Sequence, residues 1–221
     1  MMTKPLPHLG ARDEPGGKIV FFDLETGGLN PEKHPIIQIA AIVVDADTLG
    51  ELLSWECKVK FRIQDCDPDA LAHNSYGKNP AAWDEAIPGN DAFQQFDRLI
   101  ANNATMVRYS QKTGKPWRSC RLGGHNIAGF DVEFLNVAYG KRDKFKPYSF
   151  LVLDTMQEAQ WWWERECRLC RNIGRTLRRP KSFKLVDLCE HFAVPLPAEE
   201  AHDALADVRA TVGLAKALMD S

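Results

Sequence analysis

Three segments of this chain set carboxylates where strand and helix ends would gather them. In Phe21-Phe22-Asp23-Leu24-Glu25-Thr26-Gly27-Gly28-Leu29, two acids stand two residues apart behind an apolar run. In a strand that spacing puts Asp23 and Glu25 on one face. Side by side they repel each other unless a cation lies between them. Their hard oxygens suit Mg²⁺ or Mn²⁺, which bind through a few carboxylates and leave other positions to water or phosphate. The Gly27-Gly28 turn would then admit a ligand close to the backbone. The bland alternative is solvated charge at a strand end.

The second segment, Gly124-His125-Asn126-Ile127-Ala128-Gly129-Phe130-Asp131, turns from a strand end into a helix. Phe130 and Phe134, four apart, give that helix its buried stripe and leave Asp131 on another face of the first turn. Alone, Asp131 is equally well explained as complementing the helix dipole. In the third segment, Ala201-His202-Asp203-Ala204-Leu205-Ala206-Asp207-Val208-Arg209-Ala210-Thr211, an apolar face of Leu205, Val208, Val212 and Ala215 excludes Asp207. Asp203 is placed to cap this helix, and His202 alone reads as a surface loop histidine.

The elements that must position these groups follow from hydrophobic periodicity. Residues 18–24, 36–44 and 57–63 read as three strands of an antiparallel meander. Helical spacing or strong helix formers mark 80–86, 92–101, 129–139, 154–179, 185–192 and 204–219. Residues 105–124 flank a Lys-Thr-Gly-Lys-Pro turn signal and predict a hairpin whose second arm enters the sheet. Residues 151–153 form a short strand feeding a helix. Strands first, then alternating helices and strands, imply an α/β domain with a mixed sheet covered on both faces.

Length and composition narrow the class. With 221 residues, 44% apolar and 26% charged, one domain over 18–221 is expected behind a flexible Pro- and Gly-containing arm, 1–17. The longest nearly apolar stretch, 36–44, contains Gln38 and is far below the roughly 20 residues a membrane span needs. The N-terminus lacks the apolar region of a secretory signal. Six scattered cysteines suggest reduced thiols and a cytoplasmic setting. The net charge of −2 does not announce a nucleic-acid binder, but its distribution is uneven. Between 164 and 184, Arg165, Arg168, Arg171, Arg175, Arg178, Arg179, Lys181 and Lys184 face only Glu164 and Glu166.

Taken together, in order, spacing and flanking hydrophobicity, the three acidic segments resemble the DEDDh group of the DnaQ-like 3′→5′ exonucleases. Asp23 through Leu29 resembles the first exonuclease motif, His125-Asn126 through Phe130-Asp131 the second, and His202 through Asp207 the third. A histidine five residues before the last Asp is similar to the DEDDh subgroup; its sister subgroup has tyrosine four before, where Asp203 stands here. Ala70-Leu71-x-x-Asn74, Leu153-Asp154-Thr155 and Leu185-x-x-Leu188 extend the likeness, which runs over 18–219. Gly27 departs from the second Thr common in the first motif, and the hairpin over 105–117 is longer than the family minimum.

The resemblance implies a ribonuclease H-like α/β fold, a mixed β-sheet flanked by helices on both faces. It also implies a metal-dependent exonuclease releasing nucleoside 5′-monophosphates from single-stranded or frayed 3′ ends, with DNA favoured and RNA as a second substrate. Asp23, Glu25, Asp131 and Asp207 would hold two divalent ions, Mg²⁺ or Mn²⁺, about 3.5–4 Å apart, with His202 as general base. Thr26, Gly27 and Leu29 would line the terminal-nucleotide pocket beside Asn74 and Asn126. Two rivals are a proofreading subunit bound to a polymerase, for which no tether follows the last helix, and a catalytically silent nucleic-acid-binding module. Retention of all four carboxylates and His202 argues against the latter.

Other features carry paired readings. The 164–184 segment and the hairpin cations Arg108, Lys112, Lys115, Arg118 and Arg121 could track phosphates or form solvated faces. Trp161-Trp162-Trp163 spans about 200° of a helix, so one or two rings pack in the core while at least one faces outward, where it could stack on a base. Cys167, Cys170, Cys189 and His191 contain zinc-ligand types, but the spacing is poor and ordinary cysteines are the better account. The choice between DNA and RNA turns on how the pocket treats a 2′-hydroxyl and stays open, as does the oligomeric state.

Overall fold

The computed structural model describes residues 12–13, 16–110, 112–141, 146–174, 176, 178–197 and 202–221. Most of the expected arm 1–17 and Arg175 of the basic segment therefore lie outside the described residues. Among those described, seven strands form one sheet: β1 (Arg12–Asp13), β2 (Lys18–Thr26), β3 (Ile36–Asp45), β4 (Glu51–Lys58), β5 (Met106–Tyr109), β6 (Pro116–Gly124) and β7 (Tyr148–Asp154). Their order is β1-β5-β6-β2-β3-β4, with β7 also paired to β6. The meander β2-β3-β4 is antiparallel, whereas β6 runs parallel to both β2 and β7. The C-terminal ends of β2, β6 and β7 thus open on the same side of the sheet.

Alternation along β2 sorts its side chains into two cores. Val20, Phe22 and Leu24 join Ile39, Ala41 and Val43 of β3 under α3 (Gly89–Asn102) and α4 (Asp131–Gly140), meeting Phe96, Ile100, Phe134 and Leu135. Ile19 and Phe21, with Ala40, Ile42 and Val44, pack instead against Val208 and Val212 of α7 (Ala204–Met219). With both faces covered, Ile36 through Val44 is buried at every position, which explains its continuous apolar run. The parity carries over to function: Asp23 and Glu25 continue the Ile19–Phe21 face and therefore point toward α7.

Several expected boundaries move. The third strand lies at Glu51–Lys58 rather than 57–63, because this edge strand pairs only with β3 and leaves Leu52 and Leu53 exposed. Two short helices, α1 (Pro68–His73) and α2 (Ser75–Lys78), occupy a stretch the periodicity did not resolve, capped by Asp67 and Asn74. Residues 80–86 give only a 3₁₀ turn, Pro80–Trp83. The helix expected over 154–179 is α5 (Thr155–Asn172), which stops before Gly174 in a left-handed conformation, φ 67°. The chain then reaches α6 (Leu185–His191). The hairpin β5-β6, the strand before Asp154 and the full extent of α7 agree with expectation. Among the described residues no helix is long and apolar enough to cross a membrane.

Candidate active site

Asp207 lies in the first turn of α7, whose cap is formed by Asp203 accepting the Ala206 N–H at 3.2 Å. One oxygen each from Asp23, Glu25 and Asp207 lie within 4.8 Å of one another. Asp207 Oδ2 accepts the backbone N–H of His202 at 3.2 Å, while its Oδ1 is buried without a hydrogen-bond partner. Asp131 approaches from the other helical layer. It is 3% exposed, and its Oδ1 accepts the N–H of Leu24, the residue between Asp23 and Glu25, at 3.0 Å. Four acids from three distant chain segments thus converge at the end of β2.

Electrostatics shows the cost of this gathering. Burial, followed by the charges of Asp131, Glu25 and Asp207, holds the Asp23 carboxyl well above its ordinary range. Glu25 is raised by burial and then by Asp207, Asp203 and Asp131, with Lys78 opposing. Burial pushes Asp131 up to about 7 against the stabilising bond from Leu24, and Asp207 up to about 6 against that from His202. An all-oxygen donor set, mutually repelling and including one unsatisfied buried oxygen, fits a hard divalent cation.

The second motif is held in place by Asp154. Its carboxylate accepts the backbone N–H groups of Asn126 (2.9 Å), Ala128 (3.0 Å) and Met156 (3.0 Å), fixing the loop that delivers Asp131 and capping α5. His125 bridges the Thr155 hydroxyl and the Phe183 carbonyl, and burial lowers its pKa. Hydrogen bonds to a charged group contribute about 1.5–3 kcal/mol each. Asp154→Ala, which removes three of them, is therefore expected to cost about 4.5 kcal/mol, a fall of roughly 9–18 °C in melting temperature, and to lower activity through misplacement of Asp131. Calorimetry beside a nuclease assay checks both; an unchanged melting point would remove Asp154 as the loop's anchor.

The residues expected around the terminal nucleotide divide. Thr26 and Asn74 are buried together: Asn74 Nδ2 donates to the Thr26 carbonyl at 3.4 Å, and the Thr26 hydroxyl donates to the Gly28 carbonyl at 2.9 Å. Leu29 is 81% exposed, and Asn126 is exposed in a left-handed conformation, φ 60°. At Gly27 and Gly28 the fold supplies a second reason for glycine beside the approach of a ligand. A Cβ at Gly27 would meet Cys66 Sγ at 2.5 Å, and one at Gly28 would meet His34 Nδ1 at 2.2 Å. Packing within the chain therefore also favours glycine at both positions.

His202 is exposed beside the cluster with φ 65°. Its imidazole pKa is lowered by partial burial and then by Lys78, His73 and Lys184. The contributions of Lys78 and Asp203 escape sequence reading: nothing local places Lys78 near Glu25, and Asp203 reads as a cap rather than as a fifth charge on the site. Elsewhere, Trp162 is buried while Trp161 is 72% exposed. Cys167 and Cys170 lie within α5, and burial pushes the Cys189 thiol up to about 12.

A sheet of this order, taking acids from its central strand and from helices on both faces, belongs to the ribonuclease H-like class. Residues 20–113 match the family model described as RNase_T, exonuclease. Ribonuclease T of Actinobacillus pleuropneumoniae serotype 5b (strain L20) is 30% identical over 211 residues, covering 91% of this chain and 83% of that protein. Ribonuclease T of Marinobacter nauticus is 26% identical, covering 94% and 85%. Among solved structures, the zinc-bound E. coli ExoI–ssDNA complex superposes with a TM-score of 0.64 at 24% identity over 92% of this chain. This chain spans only 40% of the length of that protein. The chain belongs to this DnaQ-like exonuclease family and is a metal-dependent 3′→5′ exonuclease acting on nucleic-acid 3′ ends.

Proposed function

We propose that Asp23, Glu25, Asp131 and Asp207 hold two divalent ions, Mg²⁺ or Mn²⁺, and that the enzyme releases nucleoside 5′-monophosphates from single-stranded or frayed 3′ ends. The observation that carries this reading is the set of three carboxylate oxygens within 4.8 Å of one another, in which Asp207 keeps one buried oxygen, Oδ1, without a hydrogen-bond partner. Bound there, the ions would supply charge neutralisation for the attacking and leaving oxygens of an in-line phosphoryl displacement. His202, neutral near pH 7, takes the proton of the attacking water. The Thr26–Asn74 pair forms a wall against which the terminal nucleotide is oriented, and Leu29 and Asn126 flank it.

A single exonuclease domain over 18–221 is supported by two apolar clusters that tie β2 to helices as distant as α7. Six free cysteines support a cytoplasmic setting. Relatives named ribonuclease T and a structural neighbour holding single-stranded DNA leave both nucleic acids as substrates to be compared directly. The test is digestion of 3′- and 5′-labelled DNA and RNA, single- and double-stranded, with and without Mg²⁺. Mononucleotide release from single-stranded 3′ ends, abolished by chelation, is expected; metal-independent cleavage or release from 5′ ends would overturn the reading.

Metal binding also has a physical readout independent of catalysis. At 100 times the dissociation constant, a ligand of the folded state alone stabilises it by about 2.7 kcal/mol, here roughly 5–10 °C in melting temperature. A melting point indifferent to Mg²⁺ and Mn²⁺ would remove the shared site.

A further inference from the structure

The three consecutive tryptophans of α5 have three different environments. Trp162 is buried, its ring 4.8 Å from Phe192 and 5.4 Å from His191. Trp163 is half-buried, and Trp161 is 72% exposed. Trp161 and Trp163 join Gln160, Glu164, Arg179 and Phe183 around an open recess of about 430 Å³, within the ~300–1,000 Å³ of small-ligand sites. Large aromatic surface left in water gains most from a flat apolar occupant, and Arg179 adds a donor fork suited to phosphate or to stacking.

The recess is tied to the active site. The carbonyl of Phe183 bonds His125 Nε2 at 3.0 Å, in the loop leading to Asp131, and the Phe183 ring packs on the cluster of Ala159, Leu188 and Leu214. The next residue, Lys184, is near enough to act electrostatically on His202. Thr155, the other partner of His125, begins α5. At about 1.5 Å per residue, Trp161 and Trp163 stand roughly 9–12 Å further along the helix, about three nucleotides at the 3.4 Å stacking rise. The basic excess of 164–184 follows them in sequence, with Arg179 at the recess itself, and complements a polyanion.

We propose that this recess binds an unpaired nucleobase of the substrate strand, a few nucleotides inward from the 3′ end, with Trp161 as the stacking platform and Arg179 beside it. The proposal rests on the single-strand reading given above. Stacking uses the π-face common to all bases, so the subsite is sequence-tolerant and accepts DNA and RNA alike.

The test compares the parent, Trp161→Ala and Trp161→Phe on unlabelled oligothymidylates and oligouridylates of two, four and eight nucleotides with Mg²⁺. Trp161 contributes to no core, so melting temperatures should coincide. In the parent, KM falls as the oligonucleotide becomes long enough to reach the recess. Trp161→Ala should lose about 5- to 150-fold of that gain, Trp161→Phe should restore most of it, and Arg179→Ala should flatten the salt dependence of binding. A parent that releases nothing from single strands overturns the single-strand reading and this proposal with it. An active parent whose length dependence survives intact in Trp161→Ala overturns this proposal alone.

Discussion

Asp131→Asn is expected to lower turnover by about 10³-fold while making the metal-free protein more stable. Several kcal/mol of transition-state charge stabilisation depend on the site, each 1.36 kcal/mol being tenfold in rate. The stability gain follows from linkage. Asp131, raised to about 7 from an ordinary 3.8, binds a proton more tightly in the folded chain than in the unfolded one. Its ionisation penalty is thus fully present above about pH 7 and is relieved as pH falls through the folded value toward 3.8. Asp207 adds the same trend through about 6. Asn removes the charge and keeps an oxygen to accept the Leu24 N–H. A gain of a few kcal/mol, roughly 5–10 °C, is expected without metal at pH 8. Thermal melts of both proteins from pH 5 to 8 without metal check this: the parent should lose stability as pH rises, and the variant should lose less. Parallel curves would place Asp131 outside the acidic cluster.

His202→Ala should cost 10²–10⁴ in turnover, the usual contribution of a general base, and retain the metal-induced rise in melting temperature. That separation follows from the geometry: the three clustered oxygens belong to carboxylates, and His202 touches Asp207 through its backbone N–H. Neutral imidazole is the active form. Partial burial and the cations Lys78, His73 and Lys184 lower its pKa, so the acid limb of the parent's rate profile should lie below the ordinary histidine value of 6.5 and vanish in the variant. Because φ at this position is 65°, His202→Asn, which tolerates the left-handed region better, distinguishes loss of the base from disturbance of the loop. Near-parental turnover by either variant from pH 6 to 8 would place the base elsewhere.

The parts of this molecule legible in its sequence are those governed by local rules. Parity along Lys18–Thr26 foretells that Asp23 and Glu25 share a face, and the Asp203 cap with its apolar stripe foretells α7 at both ends. Where tertiary contacts decide, local patterns mislead. Edge exposure blurs Glu51–Lys58, α1 and α2 are too short for periodicity, and α5 stops at Asn172, ahead of the left-handed Gly174, rather than running to 179. The same distinction holds at the site. The four acids can be found by motif, but Lys78 as a counter-charge, Asp154 as the anchor of three amides, and Cys66 and His34 filling the space beside Gly27 and Gly28 exist only through proximity across the fold.

The dispersal of the acids along the chain bears on when the enzyme becomes dangerous to its own cell. Asp23 and Glu25 leave the ribosome before Asp131, and Asp131 before Asp207 on α7. At 5–20 residues per second, the interval between Asp131 and Asp207 is roughly 4–15 s. Throughout that time the nascent chain carries an incomplete set of carboxylates while still tethered to its own message. On the proposed ligand set, the order of residues alone keeps the site incomplete until α7 has been made.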